Sequence, residues 1–418
     1  MAPRRPTVLL LVVDAVGVTT LEYLLDRYPG KLRLANLSRL GLRRILAPRF
    51  HARLGADGRK TAAMRVEQAS ASADSVIGHR EMVGIVDPST YSLFPDGFSP
   101  RFIEALESRI GRKTLFNKMA GGMEAIERNA EEHEKTGRPI VYASKCDPLV
   151  QIAMNEAVIA VKEQHAIADA AFALAREMEM PITRVIARAY VRASGGEIVR
   201  TANRHDTVLP LKSRTLVDVL NDGDVWTAAV GKTSDLVNTA YSERIKLTRP
   251  SFLDPALGLR FVHPRKKDTN PYCVQGTLNA LAEAAHVYRP RGTFVFTNLV
   301  DADSVYGHTR DVAGAVRCVE EVDRILPLIE KAMRKGDLLL ITAAHGMQHR
   351  DDYGYHSKEP LPLIAERIGC GADLGGLKVG PGLSLREVGH LAAQALGFAK
   401  EYERACCYKP RGFRTNRA

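Results

Sequence analysis

Continuous apolar runs, without alternation of polar residues, indicate the core strands of this chain. Three stand out: VLLLVVD (8–14), TFVFTNLVD (293–301) and DLLLITAA (337–344). Such runs are typical of strands buried on both faces of a parallel sheet. Apolar residues at three- and four-residue spacing in 311–335 and 384–398 predict amphipathic helices between strands. The alternation of strand and helix predicts a doubly wound α/β fold with a mostly parallel sheet.

The middle of the chain has a different pattern. Helical periodicity in 101–110, 118–137 and 156–178 is mixed with short strand-like pieces such as TRVIARAYVR (183–192). We therefore expect residues 100–212 to form an inserted α+β cap domain. The segment TLVDVLNDGDVWTAAVGK (215–232) returns to a helix followed by a strand. This predicts a discontinuous core domain made of residues 1–99 and 213–418.

Composition narrows the functional class. The chain has 418 residues, which is enough for two domains, and a formal net charge of +11. Its basic residues are scattered and lack an interleaved aromatic motif, which argues against nucleic-acid binding. An excess of positive charge would equally attract phosphorylated small molecules. Charge therefore favours a small anionic ligand over a nucleic acid.

Membrane insertion and disulfide formation are not expected. No apolar run reaches the length of a transmembrane helix, and the first run is interrupted by Asp14. The six cysteines include no CxxC spacing, so we expect reduced thiols in a cytoplasmic protein. The sequence gives no indication of oligomeric state.

Residues that could bind a metal follow the predicted core strands. Asp14 ends the first run, Asp303 and His308 follow the second, and His345 and His356 follow the third. In open α/β sheets, ligand sites gather at the carboxyl ends of the strands, so we expect these side chains to share one site.

A fourth segment, SASADSVIGHREMVG (70–84), contributes a hydroxyl. Ser75 lies in a turn-rich stretch, where it could act as a nucleophile if a metal lowers the pKa of its hydroxyl. Alternatively, Asp74 and Ser75 only cap the helix that follows.

Together these residues resemble the alkaline phosphatase superfamily, and more closely the phosphopentomutases. The resemblance rests on Asp14, on Asp74-Ser75 with Gly78-His79, and on Asp303, His308, His345-Gly346 and His356. It continues through FPDGF (94–98), RVIAR (184–188), RTANRHD (200–206) and YGHTRDVAG (306–314). These segments follow one another in the order of the family, and the resemblance covers residues 8–398. The family implies a phosphatase-like core with an inserted cap.

The resemblance also implies a centre of two divalent metals, usually manganese. Carried over by position, Asp303, His308 and His356 would hold one ion, and Asp14, Ser75 and His345 part of the other. Two such ions roughly 4 Å apart could hold the attacking and leaving oxygens of an in-line phosphoryl transfer. Ser75 would carry the phosphoryl group at a position where the family typically has threonine.

Ala344 departs from the family pattern. The family has Asp-His-Gly at this strand end, with both the aspartate and the histidine binding the second metal, whereas this chain has Ala344-His345-Gly346. We expect the second metal to bind more weakly or not at all. Asp351 or Asp352 in the adjacent loop could supply a carboxylate instead. Arg80 stands where the family commonly has tryptophan.

Candidate substrate contacts complete the prediction. Arg188 could bind a sugar phosphate bidentately, while Ser144 and Asp147 could hydrogen-bond a pentose hydroxyl. Lys232 and Arg310 could add positive charge near the transferring group.

The expected activity is interconversion of (deoxy)ribose 1-phosphate and 5-phosphate, with a sugar bisphosphate as activator. The alternatives are a metal-dependent phosphohydrolase of a sugar phosphate or nucleotide, and a catalytically impaired paralogue that only binds its ligand.

Overall fold

The computed structural model describes residues 6–27, 34–58, 61–251, 269–286, 291–349, 354–370 and 383–408. The chain divides into two compact units, one made of Met1–Pro88 with Leu211–Ala418 and the other of Ser89–Pro210. It enters the second unit after Pro88, ahead of the boundary at residue 100 that the sequence predicts. The reason is that Phe94 and Phe98 pack in the hydrophobic core of the second unit.

The strands, in chain order, are as follows: Thr7–Val13 (β1), Ala62–Val66 (β2), Leu115–Met119 (β3), Ile140–Ala143 (β4), Leu149–Asn155 (β5), Arg184–Arg192 (β6), Ile198–Arg200 (β7), His205–Val208 (β8), Trp226–Val230 (β9), Glu243–Arg244 (β10), Thr293–Leu299 (β11), Leu338–Thr342 (β12), Gly346–His349 (β13), Gly354–Ser357 (β14) and Leu361–Arg367 (β15).

The α-helices, in chain order, are as follows: Val18–Arg27 (α1), Ala35–Arg39 (α2), Leu42–Ile45 (α3), Ser75–Met82 (α4), Pro100–Ile110 (α5), Gly122–Thr136 (α6), Val161–Glu177 (α7), Leu216–Asp222 (α8), Thr233–Leu236 (α9), Asn270–His286 (α10), Val312–Ala332 (α11), Arg386–Leu396 (α12) and Ala399–Ala405 (α13). A 3₁₀ turn covers Pro48–Arg53, and a π-helical turn covers Ala302–Gly307.

The first unit is built on a sheet whose described strands have the order β10-β9-β11-β1-β12-β15-β2. The neighbours from β10 to β12 pair in parallel, while β15 pairs antiparallel with both β12 and β2. The predicted core strands 8–14, 293–301 and 337–344 become the adjacent strands β1, β11 and β12. The mostly parallel α/β core is therefore confirmed.

Both faces of this sheet are covered, which explains the continuous apolar runs. Leu9 and Leu11 of β1 pack on one face in a cluster that includes residues of α1, α10 and α11. Leu10 and Val12 point to the opposite face, where residues of α4, α8 and α12 form a second cluster. Because side chains alternate between the two faces of a strand, a strand buried on both faces is mostly apolar and lacks the polar alternation of a half-exposed strand.

The second unit has a mixed sheet in the order β3-β4-β5-β6-β7, with β8 also paired to β6. Helices α5 and α7 pack on it through a core that includes Phe102, Ile167 and Ala171. This is an α+β arrangement of the type expected for the cap. The helix predicted over 118–137 begins only at Gly122, because Lys118 and Met119 belong to β3.

The cysteines agree with the expectation of reduced thiols. All six cysteines are free thiols. Among the residues that the structure describes, no helix combines the length and apolarity required to cross a membrane.

Candidate metal centre

Asp14 lies at the carboxyl end of β1, where the strand gives way to a turn. Its side chain is fully buried, and its backbone N–H donates to Leu299 O at 3.0 Å, which ties it to β11. Oδ2 lies 3.5 Å from Ser75 Oγ, while Oδ1 has no hydrogen-bond partner among the described residues. A buried carboxylate oxygen without a donor is unfavourable, and binding a cation at Oδ1 would relieve that cost.

Ser75 is the first residue of helix α4. Asp74 caps this helix, because its Oδ1 accepts the Val76 N–H at 2.7 Å. The capping alternative raised by the sequence is therefore confirmed for Asp74. Ser75 Oγ itself points elsewhere and lies 3.0 Å from His345 Nε2. The N-terminus of α4 thus presents a hydroxyl to a buried imidazole.

The tautomer of His345 follows from its other nitrogen. His345 Nδ1 lies 3.0 Å from the carbonyl oxygen of Gly346, which can only accept, so Nδ1 carries the proton. Nε2 is then an acceptor, and Ser75 Oγ–H donates to it. Burial, reinforced by neighbouring His356, lowers the pKa of His345 below its ordinary value. A neutral imidazole whose Nε2 carries a lone pair, used here to accept the Ser75 hydroxyl, is the form that binds metals.

Asp303, in the π-helical turn after β11, contacts two histidines. Its Oδ1 lies 3.1 Å from His308 Nε2 and 3.1 Å from His356 Nε2. Burial alone would raise the pKa of the Asp303 carboxyl, but the two imidazoles outweigh it and hold the pKa well below its ordinary value. His308 Nδ1 donates to Gly354 O at 3.0 Å, which orients Nε2 towards Asp303.

These residues form two overlapping groups of potential ligands. One is Asp303, His308 and His356, and the other is Asp14, Asp303 and His345; within each group the donor atoms lie within 4.8 Å of one another. The rings of His345 and His356 have centroids only 3.9 Å apart, so the groups adjoin. Carboxylates mixed with neutral imidazoles fit Mn²⁺ or Zn²⁺ better than Ca²⁺. The residues present therefore fit a divalent metal centre.

Ala344 is fully buried, and its backbone is closely held. Its carbonyl oxygen accepts a hydrogen bond from Gln68 Nε2 at 2.8 Å and lies against Gly78 of helix α4. The methyl side chain offers no ligand. Asp351 and Asp352, the alternative donors suggested by the sequence, lie outside the described residues.

Lys232 and Arg310 are the remaining candidates of the first unit, and they follow strands β9 and β11 in the chain. Lys232 is half-buried directly after β9 and precedes helix α9. Arg310 is exposed, has a left-handed φ of 57°, and donates its N–H to Gly307 O at 3.0 Å. Arg80 is buried on α4 and donates Nε to Leu236 O at 3.2 Å. The roles of Lys232 and Arg310 in phosphoryl transfer stay predictions.

In the second unit, Ser144 and Asp147 lie in the turn between β4 and β5. Ser144 Oγ accepts N–H groups from Cys146 at 3.4 Å and from Asp147 at 3.3 Å. The Asp147 carboxylate lies 3.2 Å from Arg184 Nη2. The structure thus brings both predicted polar side chains into one tight turn.

Arg188 lies on β6 among other cations. Its Nε donates to Gln151 Oε1 at 2.8 Å. Burial, followed by the charges of Arg204 and Arg200, lowers the pKa of Arg188 to about 10, although Tyr142 and Asp206 oppose this shift. Like charges held together in a buried setting are stabilised by an anion. Arg200, Arg204 and Gln151 were not predicted as site residues, although RTANRHD carried the first two.

Comparison with known proteins gives a consistent result. Residues 266–398, which include Asp303, His308, His345 and His356, match the Metalloenzyme superfamily. A phosphopentomutase of Pseudothermotoga lettingae is 33% identical over 378 residues, covering 87% of this chain and 89% of the relative. A phosphopentomutase of Caldanaerobacter subterraneus is 33% identical over 379 residues, covering 85% and 86%.

Solved structures that resemble the chain include Leishmania mexicana phosphoglycerate mutase, determined at low cobalt concentration. The sequence identity is 14% and the TM-score 0.44, over 95% of this chain and 96% of that one. The sequence relatives are decisive, because identity above 30% extends over more than four-fifths of this chain and of each relative. This chain belongs to the phosphopentomutase family.

Proposed function

We propose that the chain is a phosphomutase that interconverts the 1-phosphate and 5-phosphate of ribose or 2-deoxyribose. Ser75 is the residue proposed to carry the phosphoryl group. The observation that carries this assignment is the position of its Oγ, 3.0 Å from His345 Nε2 and 3.5 Å from Asp14 Oδ2. Family membership supports the reaction, and this geometry supports the residue.

The proposed metal centre holds two divalent ions, with manganese as the expected metal. Asp303, His308 and His356 would hold one ion, and Asp14, Ser75 and His345 would contribute to the other. Bound ions of this kind polarise phosphoryl oxygens and lower the pKa of a serine hydroxyl. Two observations support this assignment: Asp14 Oδ1 is buried without a hydrogen-bond partner among the described residues, and burial lowers the pKa of His345.

In the proposed cycle, a sugar bisphosphate first transfers one phosphoryl group to Ser75. Phosphorylated Ser75 then gives this group to the free hydroxyl of the pentose phosphate: the Oγ–P bond breaks as the sugar O–P bond forms. The resulting pentose bisphosphate returns its other phosphoryl group to Oγ and leaves as the isomer. The N-terminus of α4 favours negative charge at Ser75, because the helix dipole is positive there.

Recognition of the sugar phosphate is proposed to use the second unit. Arg188, with Arg200 and Arg204 adding positive charge, suits a phosphate group, and an arginine can bind two phosphate oxygens at once. Ser144 and Asp147 offer polar atoms suited to pentose hydroxyls. The cysteines, all free, are consistent with a cytoplasmic enzyme.

Ala344 favours a second candidate, a paralogue with weak or absent mutase activity. The family resemblance places an aspartate at this position. The loss of a residue that binds the metal directly weakens metal binding. Removing even a residue that only hydrogen-bonds a metal ligand lowers the metal affinity by about 10–100-fold. The third candidate is a hydrolase that acts on a sugar phosphate or a nucleotide.

Phosphorus NMR of the protein with ribose 1-phosphate, Mn²⁺ and a catalytic amount of glucose 1,6-bisphosphate separates these candidates. A mutase produces ribose 5-phosphate without inorganic phosphate, a hydrolase releases inorganic phosphate, and a binding paralogue leaves the spectrum unchanged. Replacing Ser75 by alanine should abolish conversion, whereas Ser213→Ala, at an exposed serine of the same unit, should preserve it. Full activity of Ser75→Ala would overturn the assignment.

A further inference from the structure

Asp74 has one carboxylate oxygen whose role the helix cap does not explain. The side chain is fully buried, and its Oδ1 accepts the Val76 N–H at 2.7 Å. Its Oδ2 is buried and has no hydrogen-bond partner among the described residues. Capping needs only one oxygen, so the second is left desolvated without a donor.

The position of this carboxylate indicates what would satisfy it. An Asp74 oxygen lies within 4.8 Å of an imidazole nitrogen of His356, which also contacts Asp303. The next residue, Ser75, contacts His345. The Asp74 carboxylate therefore borders the group that contains His356, and in the chain it directly precedes Ser75, which contacts the other group. A negatively charged oxygen in such a place matches a cation better than a neutral donor.

We infer that Asp74 is a metal ligand of this centre, with Oδ1 capping helix α4 and Oδ2 binding a divalent cation. The inference rests on the metal centre of the proposed function but not on the mutase reaction. It gives the centre a carboxylate that compensates for the missing one at Ala344. The centre would then combine Asp14, Asp74 and Asp303 with its histidines.

Asp74→Asn is a sharp test because asparagine caps helices about as well as aspartate. The variant keeps the acceptor for the Val76 N–H and replaces Oδ2 by an amide NH2 group, which carries no charge and cannot bind a cation. Asp337→Asn is the matched control: Asp337 is also buried and also accepts backbone N–H groups, from Thr7 at 2.9 Å and Arg334 at 2.8 Å. It directly precedes β12, at the end of the strand opposite His345.

Binding of Mn²⁺ alone is measured by the loss of the free-ion signal in electron paramagnetic resonance. Asp74→Asn should lower the Mn²⁺ affinity of at least one site by about tenfold or more. A loss of about tenfold is the smallest effect expected when a residue that only hydrogen-bonds a metal ligand is removed. Asp337→Asn should bind Mn²⁺ as the unmodified chain does. Equal affinities in Asp74→Asn and the unmodified chain would overturn the inference.

Thermal unfolding gives a second readout that a purely structural role would not produce. With a chelator present, Asp74→Asn should unfold at about the same temperature as the unmodified chain, because the helix cap is kept and Oδ2 has no hydrogen bond to lose among the described residues. With the same excess of Mn²⁺ the unmodified chain should unfold at the higher temperature, because a ligand that binds only the folded state stabilises it more when it binds more tightly. A difference in unfolding temperature between Asp74→Asn and the unmodified chain that is the same with chelator and with Mn²⁺, zero included, would show that Asp74 is only a helix cap. Neither measurement requires turnover, so failure of the mutase assay would be distinguished from failure here.

Discussion

Replacing Gly78 by alanine should misplace the proposed phosphoryl-carrying serine. Gly78 lies in helix α4, three residues after Ser75. A Cβ at this position would lie 2.1 Å from the carbonyl oxygen of Ala344 and 2.9 Å from its Cα. The obstacle is backbone at the end of β12, which cannot rotate away as a side chain could. Helix α4 must therefore move relative to the strand end.

The size of the movement sets the expected effect. Carbon–oxygen contacts are comfortable from about 3.3 Å, so the gap must open by about 1 Å. Because Ser75 belongs to the same helix, its 3.0 Å contact with His345 Nε2 would lengthen correspondingly. A displacement of about 1 Å at a reacting group can cost about 100-fold in rate. Overpacking should also lower the free energy of unfolding by about 1–3 kcal/mol.

The assay combines mutase turnover by phosphorus NMR with Mn²⁺ binding, so that a structural effect is visible even if turnover is slow. Gly195→Ala is the control: a Cβ there would meet nothing within 4 Å, and its turn lies in the second unit. Gly78→Ala should lose about 100-fold in turnover, whereas Gly195→Ala should not change it. Turnover and Mn²⁺ affinity at the unmodified level in Gly78→Ala would refute the proposed rigidity of this contact.

Two further predictions concern stability. Thr342 is buried, and its Oγ1 has no hydrogen-bond partner among the described residues. It lines a small apolar cavity of about 30 Å³ with Val13 and Ile341. Thr342→Val should therefore raise the free energy of unfolding by about 1–2 kcal/mol, read in urea from the fluorescence of Trp226, the only tryptophan; a loss of stability would contradict this. In the second unit, burial lowers the pKa of His133 from its ordinary 6.5, and its Nε2 accepts the Asn155 N–H at 2.9 Å. Because the unfolded chain takes up this proton first, stability should fall as the pH drops from about 6.5 towards the folded pKa, by at most about 1.4 kcal/mol per pH unit. The urea midpoint of unfolding is measured by circular dichroism at pH 7.5 and 5.5. It should change less between these pH values in His133→Asn than in the unmodified chain. An equal change in both proteins would exclude His133 as the source of the pH dependence.

The core strands were predictable because their burial leaves a local signature. β1, β11 and β12 each carry an apolar run without polar alternation, and such short runs are typical of strands buried on both faces of a parallel sheet. β5 was missed although it is equally buried. Its sequence LVQIAMN contains Gln151 and Asn155, which interrupt the apolar run. Gln151 contacts Tyr142 and Arg188, and Asn155 contacts Glu134, so only the folded neighbours explain why these polar groups are inside.

The candidate site was predictable to the extent that sheet topology alone determines it. Parallel strands end at one edge, so Asp14, Asp303 and His345 could be expected to converge. The sequence could not show which carboxylate oxygens lack a hydrogen-bond donor and could therefore bind a cation. Asp74 was interpreted only as a possible cap, and the cap is present. That Asp74 Oδ2 lacks a donor among the described residues can be seen only in the folded structure, where the positions of the neighbouring N–H and O–H groups are known.

The consequence of Ala344 follows from how its backbone is held. Gln68 donates to its carbonyl oxygen at 2.8 Å, and Gly78 packs against the same oxygen. Neither contact involves the side chain, so an alanine here preserves the strand end, the position of α4 and the contact between Ser75 and His345. Compared with the Asp-His-Gly pattern that the resemblance implies, the proposed centre has one carboxylate fewer, while the backbone contacts of the strand end are retained. A site altered in this way should differ from its relatives first in metal affinity, and a carboxylate already buried beside it, that of Asp74, is the group best placed to limit the difference.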